Sequence, residues 1–501
     1  MTRRVAVIGA GMGGLAAAID LARAGCDVHL FESADLPGGK AHRLIVSDAC
    51  EGIDAGPTVF TFREVFEQLF ADAGTSLEQE VSLYSTPLLA RHLWRDGGQL
   101  DLMADRQESA ARIAEFANPK SAREYLEFCA ECAQIYQALR DSFMVQPLQG
   151  SGRFMWRLLQ DQQRLQYLSS MWRAPPWQNL WSALGQRFTD PRLRQLFARY
   201  ATYVGSSPLA APATLMLIAH VEQEGVWLIQ GGMQQLAIAM GRVAERCGAT
   251  THYQTPVKKI IIERGQVRGL ETMAGDTLQC DAVIFNGDAQ ALATGLLGED
   301  ARMGARAITR AQRGLSAITW CRYARTQGVD LAYHNVFFAN DYPKEFLDIF
   351  ENRNVTDTPT VYLCAQDRGL RAPPDGAERM LLLVNAPADG DQAGIDEGEL
   401  ERIEASVTRL LAQCGLTIDT GPCTITRPQN FAQRFPASGG SLYGQANHGP
   451  WASFNRPSAS TRIGGLYLAG GSAHPGPGVP MATLSGRLAA AEYLGRRHDL
   501  I

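Results

Sequence analysis

The start of the chain alternates between short apolar runs and a stretch with helical spacing. Residues 5–8 form an apolar run, and residues 28–31 are apolar except for one histidine; both have the length expected for buried strands. Between them, apolar residues recur with helical spacing as far as Ala24 and stop at Gly25, as is typical of a helix C-terminus. The pattern therefore predicts a strand, a helix and a second, parallel strand in one β-α-β unit.

Strand and helix patterns then follow each other along the chain. Residues 63–73 have the spacing of a helix, whereas residues 88–94 and 99–103 alternate as two strands. An Asp-Gly pair at 96–97 separates these strands and favours the positive φ of a hairpin turn. From residue 106 to about 223 the spacing is helical, which predicts a helical subdomain.

A long helix is predicted over residues 125–142 of this subdomain. Ser121 and Glu124 have the spacing of a capping box just before it. Cys129 and Cys132 lie on its apolar stripe, so a core-facing position is favoured over a redox or metal-binding pair.

The second half of the chain mixes both patterns. Gly231 and Gly232 precede a predicted helix that ends near Cys247. Predicted strands cover residues 257–263, 267–272, 282–285, 317–323, 360–365 and 380–384, and a further helix covers 399–411. Strands and helices that alternate in this way are typical of an α/β protein.

Length and composition indicate a globular chain of several domains. Its 501 residues exceed the usual size of one domain, and 46% hydrophobic residues are enough for a large core. A net charge of −5 gives no overall attraction to nucleic acid. The 10 cysteines are scattered, as expected for reduced thiols. We expect neither a signal peptide nor a membrane-spanning helix, because no apolar run approaches the ~20 residues that such a helix needs.

One segment departs from this average charge. Residues 151–199 contain eight arginines and two aspartates, with no lysine or glutamate, so the segment carries +6. It also contains tryptophans at 156, 172, 177 and 181. Arginine beside tryptophan is typical of a helix in a membrane interface, but it also fits a helical subdomain with an aromatic core. We favour peripheral membrane binding and keep the core interpretation as the alternative.

The turn between the first strand and the first helix carries the strongest chemical signal. It reads Gly9-x-Gly11-x-x-Gly14, and the second strand ends at Glu32. Gly9 permits a tight turn, Gly11 lets backbone amides approach a pyrophosphate, and Gly14 lets the helix pack closely on the strand. Glu32 is placed to accept hydrogen bonds from ribose hydroxyls. These residues predict a dinucleotide site.

Two further glycine-rich stretches indicate FAD rather than a nicotinamide. Gly39 and Lys40 follow the second strand, and Gly56-Pro57-Thr58 forms a turn whose backbone would approach a flat ring. Near the C-terminus, a strand, a loop and a helix contain the remaining candidates, which are Gly470, Gly471, Gly478, Val479, Pro480 and Met481. Backbone amides in such a loop suit the ribityl chain and pyrimidine edge of a flavin.

The chain resembles the carotenoid desaturases related to bacterial phytoene desaturase, within the wider class of amine-oxidase-like flavoproteins. The resemblance covers nearly the whole chain. Besides the two terminal motifs, it rests on residues 56–59, 203–205, 225–227, 231–233 and 281–288. Within the family, residues 90–94 and 199–203 look most like those of the hydroxyneurosporene (1-hydroxycarotenoid 3,4-) desaturases.

This resemblance implies a Rossmann-like FAD-binding domain interleaved with a mixed-sheet substrate domain and a helical subdomain that is the candidate for membrane association. The implied FAD-binding parts are residues 1–60, 225–289 and 431–501, the substrate-domain parts are 61–105 and 290–430, and the helical subdomain is 106–224. Val257 matches the family position whose backbone contacts the adenine.

The implied reaction is FAD-dependent desaturation of an acyclic hydroxylated carotenoid at its C3–C4 bond. It implies a membrane-dissolved substrate, a peripheral position on the cytoplasmic face of a bacterial membrane, and quinone or oxygen as electron acceptor, without nucleic acid or metal. Phytoene desaturases, carotenoid isomerases and soluble amine oxidases of the same class are the alternatives. A non-enzymatic alternative is a protein of this fold that binds prenylated GTPases, although the intact C-terminal loop argues against it.

Candidates for catalysis and substrate contact are few. Removing a hydride from an unactivated carbon needs an acceptor that no side chain provides and a flavin does. His474, in the loop expected near the flavin, is a candidate for proton removal, with a structural role as the alternative. Arg91 and His92 are candidates for contact with a terminal hydroxyl, with a solvated strand face as the alternative. Ser472 stands where many flavoproteins of the class carry an acid, which weakens the amine-oxidase alternative.

Overall fold

A computed structural model describes residues 3–148, 175, 177–369 and 374–495. Within these residues the strands are β1 Arg4–Ile8, β2 Asp27–Phe31, β3 Arg43–Leu44, β4 Ile53–Asp54, β5 Leu83–Ser85, β6 Leu88–Trp94, β7 Gln99–Met103, β8 Trp227–Ile229, β9 Thr250–His252, β10 Val257–Glu263, β11 Gln266–Thr272, β12 Thr277–Gln279, β13 Ala282–Phe285, β14 Ser316–Ala324, β15 Thr326–Gly328, β16 His334–Phe338, β17 Val361–Ala365, β18 Glu378–Ala386, β19 Leu416–Ile418, β20 Cys423–Thr426 and β21 Leu466–Leu468.

The α-helices of the described residues are α1 Met12–Arg23, α2 Arg63–Asp72, α3 Leu77–Glu80, α4 Arg106–Phe116, α5 Pro119–Leu139, α6 Leu180–Gly185, α7 Pro191–Ala198, α8 Leu217–Gln223, α9 Met233–Arg246, α10 Ala289–Ala293, α11 Tyr342–Phe350, α12 Glu397–Gln413, α13 Pro428–Arg434 and α14 Val479–Leu494. A π-helical turn covers Arg140–Met144, and 3₁₀ turns cover Arg199–Val204, Ala213–Met216, Glu299–Gly304, Arg310–Gln312 and Ala452–Asn455.

A five-stranded parallel sheet, in the order β21-β13-β1-β2-β9, forms the first structural layer. The predicted β-α-β unit is confirmed in β1, α1 and β2. Val5 and Val7 pack in one core with α1, α9 and α14, whereas Ala6 packs in another core with the antiparallel strands β10 to β12. The sheet is covered on both faces, which explains why β1 is an uninterrupted apolar run. Its five strands come from four distant parts of the chain.

A seven-stranded mixed sheet, in the order β20-β14-β18-β17-β16-β6-β7, forms the second layer. Only β16 and β6 pair in parallel within it. The predicted hairpin is confirmed, because β6 and β7 pair around Gly97, whose φ is +86°. One face packs on α12, and the other, with Trp94 and Phe338, packs on the helices α4 to α8.

The helical subdomain confirms the core-facing prediction for the cysteine pair. Cys129 and Cys132 are free thiols buried with Phe128 and Phe197 between α5 and α7. Burial raises the pKa of both thiols, which keeps them protonated and unreactive.

The predicted capping box before this helix is wrong. The helix α5 begins at Pro119, and the Asn118 side chain accepts a hydrogen bond from Ser121 N at 3.0 Å. Asn followed by Pro supplies both a good N-cap and a good first residue, so it starts the helix earlier than Ser121 would. Ser121 and Glu124 therefore lie inside the helix.

The arginine- and tryptophan-rich segment is only partly described. Residues 151–174 and 176, with Trp156 and Trp172, lie outside the described residues. Trp177 is 72% exposed, whereas Trp181 contacts the Arg194 guanidinium, whose Cζ lies 3.9 Å from its ring centroid. In the described part of the chain, no helix is both long enough and apolar enough to cross a membrane.

Candidate functional site

The glycine turn after β1 leaves the N-terminus of α1 open. Gly9 has a φ of +98°, and Gly11 is the N-cap residue of α1 without a side-chain cap. A Cβ atom on Gly14 would lie 2.0 Å from the Gly9 carbonyl oxygen, so only glycine allows the helix this close to the turn. Because no side chain caps them, the first amides of α1 and their positive dipole end suit a pyrophosphate.

Glu32 lies beside this turn, as predicted from its place at the end of β2. Its Oε2 accepts from Ala10 N at 2.7 Å, and its Oε1 accepts from Ala34 N at 2.9 Å. The Glu32 carbonyl oxygen accepts from Thr255 N at 2.8 Å, which brings the start of β10, at Val257, towards the same region. The structure thus brings together the carboxylate predicted for the ribose and the backbone predicted for the adenine.

The second glycine-rich stretch packs directly on the first. Gly38 N donates to Ala10 O at 2.9 Å, and a Cβ atom on Gly39 would lie 3.4 Å from Gly11 Cα. A Cβ atom on Gly56 would lie 1.9 Å from Lys40 O. Backbone therefore packs directly on backbone here. We call residues 38–40 and 56–58 the proposed flavin wall, because the sequence predicts that they lie against the ring.

Two of the predicted cofactor residues already have protein partners. Lys40 Nζ donates to Leu442 O at 2.6 Å, and burial lowers the Lys40 pKa. Thr58 Oγ1 lies 2.6 Å from Tyr362 Oη, so the Thr58 side chain contacts the second sheet. Any cofactor contact of Thr58 would therefore come from its backbone.

The C-terminal loop meets the N-terminal turn through Asn286. Asn286 Nδ2 donates to Gly9 O at 3.1 Å, and Cβ atoms on Gly13 and Gly470 would each lie 2.6 Å from Asn286 Oδ1. The neighbouring α14 has Gly478 as its N-cap residue, with a φ of +113° and no side-chain cap. The site therefore has two uncapped helix N-termini, one from each end of the chain.

Arg456 holds this loop and was not predicted from the sequence. It is 2% exposed and donates to the carbonyl oxygens of Tyr443 at 3.2 Å, Gly471 at 3.1 Å and Gln445 at 2.6 Å. Burial lowers its pKa to about 10, and Asp288 opposes that shift. No motif marks an arginine that binds only backbone carbonyls and an amide, so its role emerges only from the fold.

Asp54 is a second residue of the site whose role was not predicted from the sequence. Its Oδ2 accepts from Met233 N at 2.6 Å and caps α9, while a Cβ atom on Gly232 would lie 1.9 Å from that carboxylate oxygen. Burial raises the Asp54 pKa to about 6. This cap joins the loop before Gly56 to the helix that covers the parallel sheet.

The geometry around His474 favours the structural alternative. His474 is 2% exposed, its Nε2 lies 2.8 Å from Gln146 O, and its ring meets that of Phe143 edge to face at 4.8 Å. Burial lowers its pKa to about 4, so the imidazole is neutral at pH 7. These contacts fix the ring in the loop, and proton removal by His474 stays an untested prediction.

Arg91 and His92 point to opposite faces of β6, so the structure does not bring them together. Arg91 binds the Asp101 carboxylate through Nε at 2.7 Å and Nη2 at 2.8 Å, which leaves its guanidinium committed to a cross-strand pair. This pairing favours a structural role for Arg91, and its contact with a terminal hydroxyl stays an untested prediction. His92 is 3% exposed and stacks on Phe338, with ring centroids 6.0 Å apart.

The residues of this site fit FAD. Glycines at positions where a Cβ atom would clash, two uncapped helix N-termini and a carboxylate beside the first turn match its pyrophosphate, ribose and ring. Among the described residues, no group of three or more His, Cys, Asp or Glu side chains is placed to hold a metal ion.

Comparisons with known proteins agree with this geometry. A family model described as flavin-containing amine oxidoreductase matches residues 12–494. The chain is 47% identical over 495 residues to a hydroxyneurosporene desaturase of Rubrivivax gelatinosus, covering 98% of this chain and 93% of the relative. It is 42% identical to a hydroxyneurosporene desaturase of Rhodobacter capsulatus, covering 98% of each.

Solved structures share the fold at low sequence identity. A putrescine oxidase variant aligns with a TM-score of 0.60 and 15% identity, covering 99% of both chains. An oxidoreductase from Methanosarcina mazei aligns with a TM-score of 0.58 and 17% identity, covering 97% of this chain and 99% of the other.

Proposed function

The chain belongs to the family of flavin-containing amine oxidoreductases, and we propose that it uses FAD to desaturate an acyclic 1-hydroxylated carotenoid at its C3–C4 bond. One observation carries this proposal. Over nearly its whole length, the chain is 47% and 42% identical to relatives named hydroxyneurosporene desaturase. A relative named zeta-carotene-forming phytoene desaturase, from Myxococcus xanthus, is only 29% identical, which favours the hydroxylated substrate over phytoene.

Each part of FAD has residues that would hold it. The amides that follow Gly9 and Gly11 would bind the pyrophosphate, Glu32 the ribose, and the Val257 backbone the adenine. The flavin end would lie against Gly39, Lys40 and Gly56-Pro57-Thr58, and against the loop and helix start formed by Gly470, Gly471, Gly478, Val479, Pro480 and Met481. When bound, FAD supplies the hydride acceptor that this reaction needs.

Two buried cations set the electrostatics of the flavin end. Arg456 and Lys40 are both desolvated, and Asp288 is the carboxylate that acts on both of their pKa values. Their positive potential favours the uptake of negative charge at this end of the site. Lys40 and Arg456 would therefore stabilise negative charge on a cofactor held there, and quinone or oxygen would be the final electron acceptor.

The direct test is conversion of substrate in a lipid environment. Holoenzyme incubated with liposomes that carry 1-hydroxyneurosporene should form a product with one more conjugated double bond near the hydroxylated end. A product formed only from phytoene would instead support the phytoene desaturase alternative. A purified protein without a flavin spectrum would support the non-enzymatic alternative.

Peripheral membrane contact forms part of the proposal, because a carotenoid dissolves in the bilayer. Trp177 and Trp451 are 72% and 49% exposed. The segments that carry them lie on either side of one loop: Ala213 N donates to Gln178 O, and Gly449 N donates to Ala210 O, each at 2.9 Å. Exposed indole rings on neighbouring segments are typical of a surface that enters a membrane interface. We place this surface at the cytoplasmic face of the membrane.

Replacing Trp177 and Trp451 together with serine should weaken binding to anionic liposomes. Roughly 1 kcal/mol from partial burial of each ring corresponds to about a 10- to 30-fold lower partition coefficient in a flotation assay. The matched control replaces Met273 and Met303 with serine, because these side chains are 63% and 67% exposed elsewhere on the surface. Equal flotation of the two double variants would place the docking surface elsewhere.

A further inference from the structure

An arginine without a carboxylate partner lies where the helical subdomain meets the second sheet. Arg199 opens the 3₁₀ turn Arg199–Val204, and its side chain is half-buried. Its Nη1 donates to Tyr203 Oη at 3.1 Å, and its Cζ lies 5.2 Å from the ring centroids of both Tyr203 and Tyr362. In the described part of the chain, no carboxylate lies within ion-pair distance of Arg199, although its charge acts to lower the pKa values of Glu222 and Glu345, which burial raises.

A single tyrosine connects Arg199 to the proposed flavin wall. Tyr362 Oη lies 2.6 Å from Thr58 Oγ1 and 2.6 Å from His334 Nδ1. Thr58 belongs to the turn with Gly56, which packs against Lys40. The guanidinium is therefore close to the part of the site where the reacting carbons must lie.

Arg199 is the charged hydrogen-bond donor beside the Tyr362 ring. Burial, with a smaller contribution from the charge on Arg199, lowers the pKa of His92 and of His334 to about 3, so the two imidazoles are neutral. The apolar side chains of Phe338 and Trp94 belong to the buried cluster against which Tyr362 packs. Burial disfavours the charged form of Arg199, but Tyr203, Tyr342, Tyr362 and Glu222 together raise its pKa above the ordinary value, so the guanidinium stays charged and can donate a hydrogen bond to a ligand.

We propose that Arg199, held by Tyr203, hydrogen-bonds the C1 hydroxyl of the carotenoid and thereby selects the bond that is desaturated. This inference rests on the proposed function. C1 is separated from C3 only by C2, so an anchor for the hydroxyl has to lie close to the cofactor, as Arg199 does through Tyr362 and Thr58. A long, apolar carotenoid has many similar C–H bonds. A hydrogen bond to the hydroxyl at its end fixes how far the molecule enters the site. The non-hydroxylated analogue cannot accept a hydrogen bond from the guanidinium and is disfavoured.

The experiment compares two probes in detergent micelles, 1-hydroxyneurosporene and neurosporene, with holoenzyme under anaerobic conditions. For each protein, the rate of flavin reduction and the dissociation constant of both probes are measured. In Arg199→Met, the preference for the hydroxylated probe should fall about 10- to 100-fold, the range of a lost hydrogen bond to a charged donor. Tyr203→Phe should reduce the preference about 3- to 10-fold, because it removes only the bond that orients Arg199.

The matched control is Tyr125→Phe, which removes a buried hydroxyl that Gln223 contacts in the same helical core. The preference of this variant for the hydroxylated probe should equal that of the unmodified protein. It therefore distinguishes a general loss of packing from loss of the hydrogen bond to the hydroxyl. If Arg199→Met does not fold, the substrate preference of Tyr203→Phe tests the proposal instead. An unchanged preference in the folded variants overturns the role of Arg199 while the proposed function stands. Failure of the unmodified protein to react with 1-hydroxyneurosporene overturns both.

Discussion

Replacing Gly11 with valine is expected to give a folded protein that retains almost no FAD. A Cβ atom on Gly11 would lie 2.9 Å from Asn286 Nδ2, which itself holds Gly9 O at 3.1 Å. A branched side chain there would also fill the space that the pyrophosphate needs above the α1 amides. The measurement is the ratio of flavin to protein absorbance after gel filtration.

The matched control is Gly376→Val, because a Cβ atom on Gly376 meets nothing within 4 Å. This variant should keep full FAD occupancy. Far-UV circular dichroism shows that Gly11→Val has folded, so that loss of flavin is not loss of structure. A folded Gly11→Val protein with full occupancy would remove the N-terminal turn from the cofactor site.

Replacing Arg487 with methionine is expected to lower the free energy of unfolding by about 3–5 kcal/mol, as is typical when one partner of a buried ion pair is removed. Arg487 is 2% exposed, its Nε lies 3.0 Å from Asp20 Oδ2, and its Nη2 binds Asp72. Asp20 lies in α1, Asp72 in α2 and Arg487 in α14. The variant leaves a buried carboxylate without its main cation at the point where these helices meet.

Urea unfolding of the holoenzyme, followed by tryptophan fluorescence, measures this effect. The control is Arg302→Met, which removes an exposed pair with Glu299 and should cost less than about 1 kcal/mol. Because α1 and α14 each present an open N-terminus to the site, we also expect faster FAD release from Arg487→Met than from the control. Equal stability of the two variants would contradict a structural role for the buried cluster.

Much of the site follows from local sequence. The turn with Gly9, Gly11 and Gly14 was predicted because each glycine acts within a few residues of its neighbours. The β-α-β unit of the first sheet was predicted because β1 is an apolar run and Glu32 follows β2 directly. These signals depend on residues close together in the sequence, and the structure shows the turn and the strands at the predicted positions.

The missed residues act over long distances in the chain. Asp54 caps a helix that begins at Met233, and Arg456 binds the carbonyl of Gly471 from a separate loop. Neither partner can be inferred from spacing, because only the tertiary fold brings the segments together. The pairing of Arg91 could have been inferred from the sequence, since a hairpin closed between Trp94 and Gly98 places Asp101 opposite Arg91.

The most direct test of the account is anaerobic reduction of the bound flavin. Purified holoenzyme would be mixed with liposomes that carry 1-hydroxyneurosporene, neurosporene or phytoene at equal loading, and the oxidised flavin band would be followed with time. We expect 1-hydroxyneurosporene to bleach the band fastest and to yield a product with one more double bond. A flavin that stays oxidised with 1-hydroxyneurosporene but is bleached by phytoene would contradict the proposed reaction.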